Sequence, residues 1–392
     1  MHAPLAGRRI WFVGIGGAGL SGYALLAASW GAEVGGWDKV ETPYLPNVHA
    51  AGIRVELAPE PVAAPAGRET VVSTAFAGRV QGRTRAEFLA ELVTLQRSIV
   101  VAGAHGKPTT AAMIAFALDR LGLDPSFLIG GEVPQLGGNA RAGSGWLVVE
   151  GDESDRTVAA LRPEIAVVTN VDLDHHTEFA SRSDVAVLFE EWLAEVPQVV
   201  RGETLPPAEF PLAVHGGHNR KNAAAAVEAL VLAGVERADA ERALGDFRGV
   251  GRRLELRHDG DIRVYDDYAH HPAEVEAALA AARELGGARV LVLFQPHLYS
   301  RTRHLAREFA LALSAADVVA VTDVYAAREE PVAGVDGKLI VDALTDVRPG
   351  MSVAWTPTVE AGARFISGRA RDGDIVVTMG AGDVDRAAEL IA

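Results

Sequence analysis

The residues Ser98 to Thr110, SIVVAGAHGKPTT, leave few folds open to the chain that carries them. The apolar run Ile99 to Ala102 has no polar interruption, which reads as a strand buried on both faces of a parallel sheet. Gly103, Ala104, His105 and Gly106 make the turn, and Lys107 opens a helix that continues through TTAAMIAFALDRLG. Strand, glycine loop and helix in that order point backbone N–H groups out of a helix N-terminus, the arrangement that cradles phosphate. Lys107 supplies a point charge for β- and γ-phosphates. The next position should carry a hydroxyl for Mg²⁺, and it is Pro108. Proline suits a first helical turn but removes the hydroxyl and one N–H from the cradle. An ordinary helix cap can look the same, so the neighbouring segments decide.

At 392 residues the chain has room for two or three domains with proper cores. Its 49% hydrophobic and 23% charged content is that of a soluble globular protein. A net charge of −15 argues against binding nucleic acid or an anionic membrane. With no cysteine, disulfides, thiolate metal sites and cysteine nucleophiles are excluded. No stretch reaches membrane-spanning length and no leader is evident, so a cytoplasmic location is expected.

The chain begins with a strand, Arg9 to Val13, running into Gly14-Ile15-Gly16-Gly17-Ala18-Gly19 and a helix from Leu20 to Trp30. Asp38 closes the next strand. This is the pattern of a nucleotide-diphosphate fingerprint: glycines let the backbone approach a pyrophosphate, and the acid reaches a ribose or base. NAD or FAD is the obvious ligand; a tight glycine turn with only a capping role is the plain alternative. A strand from Thr70 to Thr74 brings Ser73 to a carboxyl end, where ligands of such sheets sit, and the Pro- and Ala-rich stretch Ala58 to Gly67 reads as a loop.

Downstream of the phosphate loop, the strand Trp146 to Val149 ends in Glu150-Gly151-Asp152-Glu153-Ser154-Asp155, and Ile165 to Asn170 ends in Val171-Asp172-Leu173-Asp174-His175-His176. Carboxylates and imidazoles at two strand ends suit a divalent ion, although one such stretch alone would read as a solvated acidic loop. Gly216-Gly217-His218-Asn219 precedes a helix from Asn222 to Ala233. Beyond Arg252-Arg253, strands end in Asp266-Asp267-Tyr268-Ala269-His270-His271-Pro272, in Gln295-Pro296-His297-Leu298-Tyr299-Ser300-Arg301, in Tyr325 with an acidic loop to Gly337, and in Met379-Gly380-Ala381-Gly382-Asp383. Strands alternate with helices throughout, which predicts an α/β chain.

The set GIGGAG, GAHGKPTT, EGDESD, NVDLDHH, GGHNRKN, GVGRRLE, DDYAHHP, FQPHLYSRT, DVYAAREEP and MGAGD, in this order over nearly the whole length, resembles the bacterial muramyl ligases. The resemblance implies three domains, each a mostly parallel doubly wound sheet: a Rossmann-like UDP-sugar domain (1–97), a P-loop ATPase (98–251) and a Rossmann-like amino-acid domain (252–392). It implies ATP-dependent ligation in peptidoglycan precursor synthesis. The carboxylate of UDP-N-acetylmuramate takes the γ-phosphate of ATP, and the amine of L-alanine then displaces phosphate from the acyl phosphate. Positioning and charge neutralisation do most of such chemistry.

By matching motifs, Gly16, Gly17, Gly19, Asp38 and Ser73 would hold the UDP-sugar. Gly103, His105, Gly106, Lys107 and Thr109 would form the ATP loop, and Glu150 and His175 would bind Mg²⁺. His218 and Asn219 would lie near adenine, Arg253 near the phosphates, and Asp267 on the ribose. Tyr268, His270 and Arg301 would form the alanine pocket, with Arg301 on the carboxylate. Lys107, Glu150, His175, His270 and Arg301 are thus the expected catalytic group.

The chain departs from the family pattern in places. Pro108 replaces threonine, and Leu298 stands where many relatives carry arginine. The segments Thr74 to Arg97 and Trp192 to His215 are short. None of the four lysines (Lys39, Lys107, Lys221, Lys338) lies near Asp174, so a carbamylated-lysine metal ligand is not expected. Competing readings are a non-catalytic UDP-sugar or nucleotide binder, a nicotinamide or flavin oxidoreductase resting on GIGGAG alone, and the branch that ligates a recycled tripeptide.

Overall fold

The computed structural model describes residues 3–153, 156–172, 179, 181–327 and 329–391, with the backbone alone at position 18. Three sheets organise them. The first has five parallel strands in the order Arg54–Leu57, Glu33–Asp38, Arg9–Val13, Glu69–Val72, Arg83–Thr84. The second has six: Gln198–Arg201, Ile165–Val168, Ser98–Ala102, Leu147–Glu150, Ser126–Val133, Gly138–Arg141, parallel except for the last pair. The third also has six: Glu255–Asp259, Arg263–Asp267, Ile375–Met379, Val290–Phe294, Val318–Val321, Ser352–Trp355, parallel except for the first pair. The expected architecture of three mostly parallel α/β sheets is therefore present.

By contacts the chain divides into two compact units: residues 1–213 with 220–248, and residues 214–219 with 249–392. The first unit holds two sheets on a shared apolar core that includes Phe12, Trp30, Phe88, Val100, Phe189 and Trp192. The fingerprint helix Ala18–Ser29 lies against the hairpin Ser126–Val133/Gly138–Arg141, and a Cβ at Gly22 would stand 3.1 Å from the Cβ of Ala140. In the second unit the third sheet is buried on both faces. Val290, Val292 and Phe294 pack to one side, and Leu291 and Leu293 to the other, as the two-residue strand period demands.

The strands read from sequence are the buried ones. Ser98–Ala102, Ile165–Val168, Val290–Phe294 and Ile375–Met379 are buried at every position. Several bounds differ from expectation: the strands expected at Thr70–Thr74, Trp146–Val149 and Ile165–Asn170 run Glu69–Val72, Leu147–Glu150 and Ile165–Val168, and two helices start earlier. The fingerprint helix begins at Ala18, directly after Gly17, and the later alanine-rich helix begins at Gly217. His218 and Asn219 therefore sit in a first helical turn instead of a preceding loop, because Gly216 (φ 96°) completes the turn by itself. The segment Trp192 to His215 still carries one strand, Gln198–Arg201.

Candidate active site

The glycine fingerprint occupies the point where strand order reverses, between Arg9–Val13 and Glu69–Val72. Gly14 is left-handed (φ 85°), and a Cβ there would lie 2.5 Å from the Ser73 Oγ, so Ser73 and the loop touch. One Asp38 carboxylate oxygen accepts from the Gly16 N–H at 2.7 Å and the other from the Lys39 N–H at 2.7 Å. The Thr42 hydroxyl donates to the Gly16 carbonyl at 2.7 Å. Asp38 thus shapes the loop directly. Gly17 caps the helix, and a Cβ at Gly19 would be 3.6 Å from the Arg85 guanidinium.

The phosphate loop is clamped from two sides. The Asn170 side chain accepts from the His105 N–H at 3.0 Å and donates to the His105 carbonyl at 2.8 Å, while the Thr169 hydroxyl donates to that same carbonyl at 2.6 Å. Gly103 and Gly106 are both left-handed (φ 122° and 82°). A Cβ at Gly103 would fall 2.3 Å from the Thr169 Oγ1, and one at Gly106 2.4 Å from the Asn222 Oδ1. Only glycine fits either position. The helix Lys107–Arg120 starts at once with Pro108 in its first turn, and Thr109 and Thr110 are buried behind it. A bare-backbone cradle ahead of a helix N-terminus, with a lysine on its rim, fits the phosphates of a nucleotide.

Around Lys107 stands an acidic group. The Lys107 Nζ donates to the Gly103 carbonyl at 2.7 Å and to both Glu153 oxygens at 2.9 Å. Burial alone would lower the Lys107 pKa, but the charges of Glu153, Asp152 and Glu150 hold it above the ordinary value. One Glu150 oxygen accepts from the Gly130 N–H at 2.5 Å. Arg85 reaches Asp152 at 3.5 Å. Gly19, Arg85, Lys107, Glu150 and Asp152 line one cleft within the first unit, so one residue of the fingerprint and the lysine of the phosphate loop meet there. Oxygen donors of this kind fit Mg²⁺, although among the described residues no three acidic or histidine side chains are grouped to hold a metal. His175 lies outside the described residues. Sequence reasoning singled out Glu150 and passed over Glu153 and Arg85. The first was visible in EGDESD; nothing in the sequence marks Arg85.

In the second unit the strand Arg263–Asp267 delivers two adjacent carboxylates to opposite faces. Asp266 pairs with Arg252 at 2.8 Å and accepts from the Thr378 hydroxyl at 2.7 Å. Asp267 accepts from the N–H groups of Leu254 and Ala269, each at 2.8 Å. Burial pushes its carboxyl up to about 6, against the pull of Arg253. Arg253 lies over the Tyr268 ring at 5.3 Å. His218 has its pKa lowered, first by burial and then by the Arg253 charge. The Tyr268, His270 and His297 rings form an edge-to-face series with centroid separations of 5.3 and 5.6 Å. The Arg301 guanidinium stands 3.2 Å from the His297 Nδ1. Tyr268, His270 and Arg301 are thus joined, with His297, which sequence reasoning had not chosen, as the link. Asn219 donates to the His215 carbonyl at 2.7 Å.

Comparison with known proteins gives a consistent picture. Residues 9–97 match the family description "Mur ligase family, catalytic domain", and residues 252–382 match "Mur ligase, glutamate ligase domain". The UDP-N-acetylmuramate–L-alanine ligase of Rubrobacter xylanophilus is 38% identical, covering 97% of this chain and 98% of its own. That of Streptomyces coelicolor is 38% identical over 97% and 96%. The alignment with the first runs over 443 positions, more than the 392 residues of the chain, in keeping with its shortened segments. Among solved structures, the UDP-N-acetylmuramate–alanine ligase of Thermotoga maritima superposes with a TM-score of 0.82 at 26% identity, over 98% of both chains. A murein peptide ligase from Psychrobacter arcticus shares the fold, with a TM-score of 0.65 at 24% identity over 98% of both.

Proposed function

The chain belongs to the Mur ligase family, and from that premise we propose that it joins L-alanine to the lactyl carboxylate of UDP-N-acetylmuramate, driven by ATP cleavage through an acyl phosphate. The observation that carries the reading is the cleft of the first unit, where Gly19 of the fingerprint helix and Lys107 of the phosphate loop share one wall-to-wall space. A nucleotide-sugar acid seated on the fingerprint reaches a phosphoryl group held on the loop only if the two sites open into each other, which the position of Gly19 and Lys107 on one cleft supports.

The N–H groups of the first turn of Lys107–Arg120 and the Lys107 ammonium bind the nucleotide phosphates. Glu150 and His175 hold Mg²⁺, which when bound offsets charge on the transferring phosphoryl group. Gly16, Gly17, Gly19 and Ser73 receive the UDP diphosphate, with Asp38 fixing the loop that presents them. In the second unit, His218 and Asn219 lie by the adenine, Arg253 by the phosphates and Asp267 by the ribose. Tyr268, His270 and Arg301 receive alanine, with Arg301 on its carboxylate. The domains run 1–97, 98–251 and 252–392. Glycine fingerprints also serve nicotinamide cofactors, so calorimetry with UDP-N-acetylmuramate and with NAD⁺ separates the two uses. Binding of the UDP-sugar and silence with NAD⁺ is expected; tight NAD⁺ binding without a response to the UDP-sugar contradicts the proposal.

A further inference from the structure

Arg301 is carried by a helical turn that is set apart from its own helix. Inside Tyr299–Leu313, Leu305 leaves helical geometry (φ −116°, ψ 18°), which separates the stretch from Tyr299 to His304 from the remainder. At the leading end stands Leu298, with φ 69° in the left-handed region that a leucine rarely adopts. It has no side-chain oxygen with which to cap the turn. The cap comes from elsewhere in the chain: one Glu329 carboxylate oxygen accepts from the Ser300 N–H at 2.9 Å, and the other accepts from the Ser300 hydroxyl. Tyr325 ties the same stretch down from the same loop. Its carbonyl accepts from the Leu298 N–H at 3.0 Å, and its N–H donates to the Pro296 carbonyl at 2.8 Å. Its ring stacks on His297 with centroids 6.1 Å apart and planes 18° from parallel.

We propose that Glu329 is a positioning residue for the acceptor amino acid: by capping this turn from outside the helix, it sets the direction in which Arg301 is presented. A carboxylate at a helix N-terminus gains from the charge-assisted bond to an otherwise unpaired N–H and from the positive end of the helix. That gain offsets the strain at Leu298 and keeps the turn in one orientation. The orientation matters because a guanidinium recognises a carboxylate through two parallel N–H bonds, and a small misalignment forfeits one of them. Without Glu329, the turn has the Tyr325 contacts but no charge at its N-terminus, and Arg301 is presented less sharply. The inference rests on the reading above in which Arg301 receives the carboxylate of alanine. It adds a role for a side chain to which that reading gives none.

The test is steady-state ADP release by the full chain with ATP, Mg²⁺ and UDP-N-acetylmuramate, titrated with L-alanine. Glu329→Ala removes both contacts to Ser300. It is expected to raise the KM for alanine by about tenfold while kcat and the KM for ATP stay within about twofold, a split that a merely structural role would not produce. Glu329→Gln still accepts from the Ser300 N–H and should recover most of the loss, leaving a rise of about threefold. Ser300→Ala removes one of the two contacts and should give a rise of similar size; it carries the test if Glu329→Ala fails to fold. Because both substitutions act through one contact, the double variant should be no worse than Glu329→Ala by more than about twofold. A folded Glu329→Ala whose KM for alanine is unmoved, or moves equally with that for ATP, overturns the inference. Fully multiplying effects in the double variant overturn it as well. Absence of alanine-dependent ADP release by the unsubstituted chain overturns the ligase reading and this inference with it, whereas alanine-dependent release with an unmoved KM overturns this inference alone.

Discussion

At the scale of single residues, Asp267 shows what burial does to a carboxyl group that the sequence marks only by its motif. Its oxygens are satisfied by two backbone N–H groups, yet burial raises its pKa to about 6. Above that pH it is ionised and, in the role proposed for it, would accept from a ribose hydroxyl; one unit below, only about a tenth of it is ionised. The KM for ATP should therefore rise by up to about tenfold as pH falls from 7 to 5, and Asp267→Asn should give a raised, flat profile over that range. A wild-type profile without an inflection near 6 contradicts the ribose role. Stability carries the opposite sign. The native carboxyl keeps its proton up to about pH 6 while an unfolded aspartate releases it near 4, so this group costs the fold increasingly as pH rises through that window. The match of DDYAHHP to the family motif pointed to Asp267, but the sequence did not say what Asp266 beside it would do. The pleat separates the two, sending Asp266 to Arg252 and Thr378 and Asp267 to the N–H groups of Leu254 and Ala269. In EGDESD the motif pointed to Glu150 as a Mg²⁺ ligand and did not foretell that Glu153 would pair with Lys107, while Glu150 accepts from the Gly130 N–H.

At the scale of elements, the helix Lys107–Arg120 concentrates the consequences of one substitution. Of the N–H groups its first turn would present to a phosphate, Pro108 has none, and no hydroxyl stands at that position. Water can replace a neutral Mg²⁺ ligand, since the ion keeps several waters, but nothing in the same turn replaces the N–H. Pro108→Thr should raise Mg²⁺-dependent ADP release by roughly tenfold, about 1.4 kcal/mol of barrier, with little change in thermal stability. No change, from a parent already turning over at ordinary ligase rates, would show that Pro108 costs nothing. Elements with full burial were legible because an unbroken apolar run says so. The edge strands Arg54–Leu57, Glu255–Asp259 and Ser352–Trp355 have no buried residue, the first two carry charges of both signs, and none gave such a signal. The hairpin Ser126–Val133/Gly138–Arg141 was hidden by its glycines, whose pairing depends on tertiary contact more than on local preference.

At the scale of the molecule, strand–loop–helix repeats made three sheets legible, and the order of the motifs made the family legible. What stayed hidden is that the first two sheets share one core, in part because the close approach of Gly22 to Ala140 involves small residues that no periodicity announces. That shared core brings Gly19 of the fingerprint and Lys107 of the phosphate loop to one cleft, on which the proposed joining of acid and amine depends. The most direct measurement is ADP release by the full chain with ATP, Mg²⁺ and UDP-N-acetylmuramate, with L-alanine present or omitted, and with the product weighed by mass spectrometry. The account predicts that sustained ADP release requires both the UDP-sugar and alanine and yields the alanyl adduct. Binding of ATP and UDP-N-acetylmuramate with no ADP released under any of these conditions would contradict it and leave a protein that holds both nucleotides without joining anything to them.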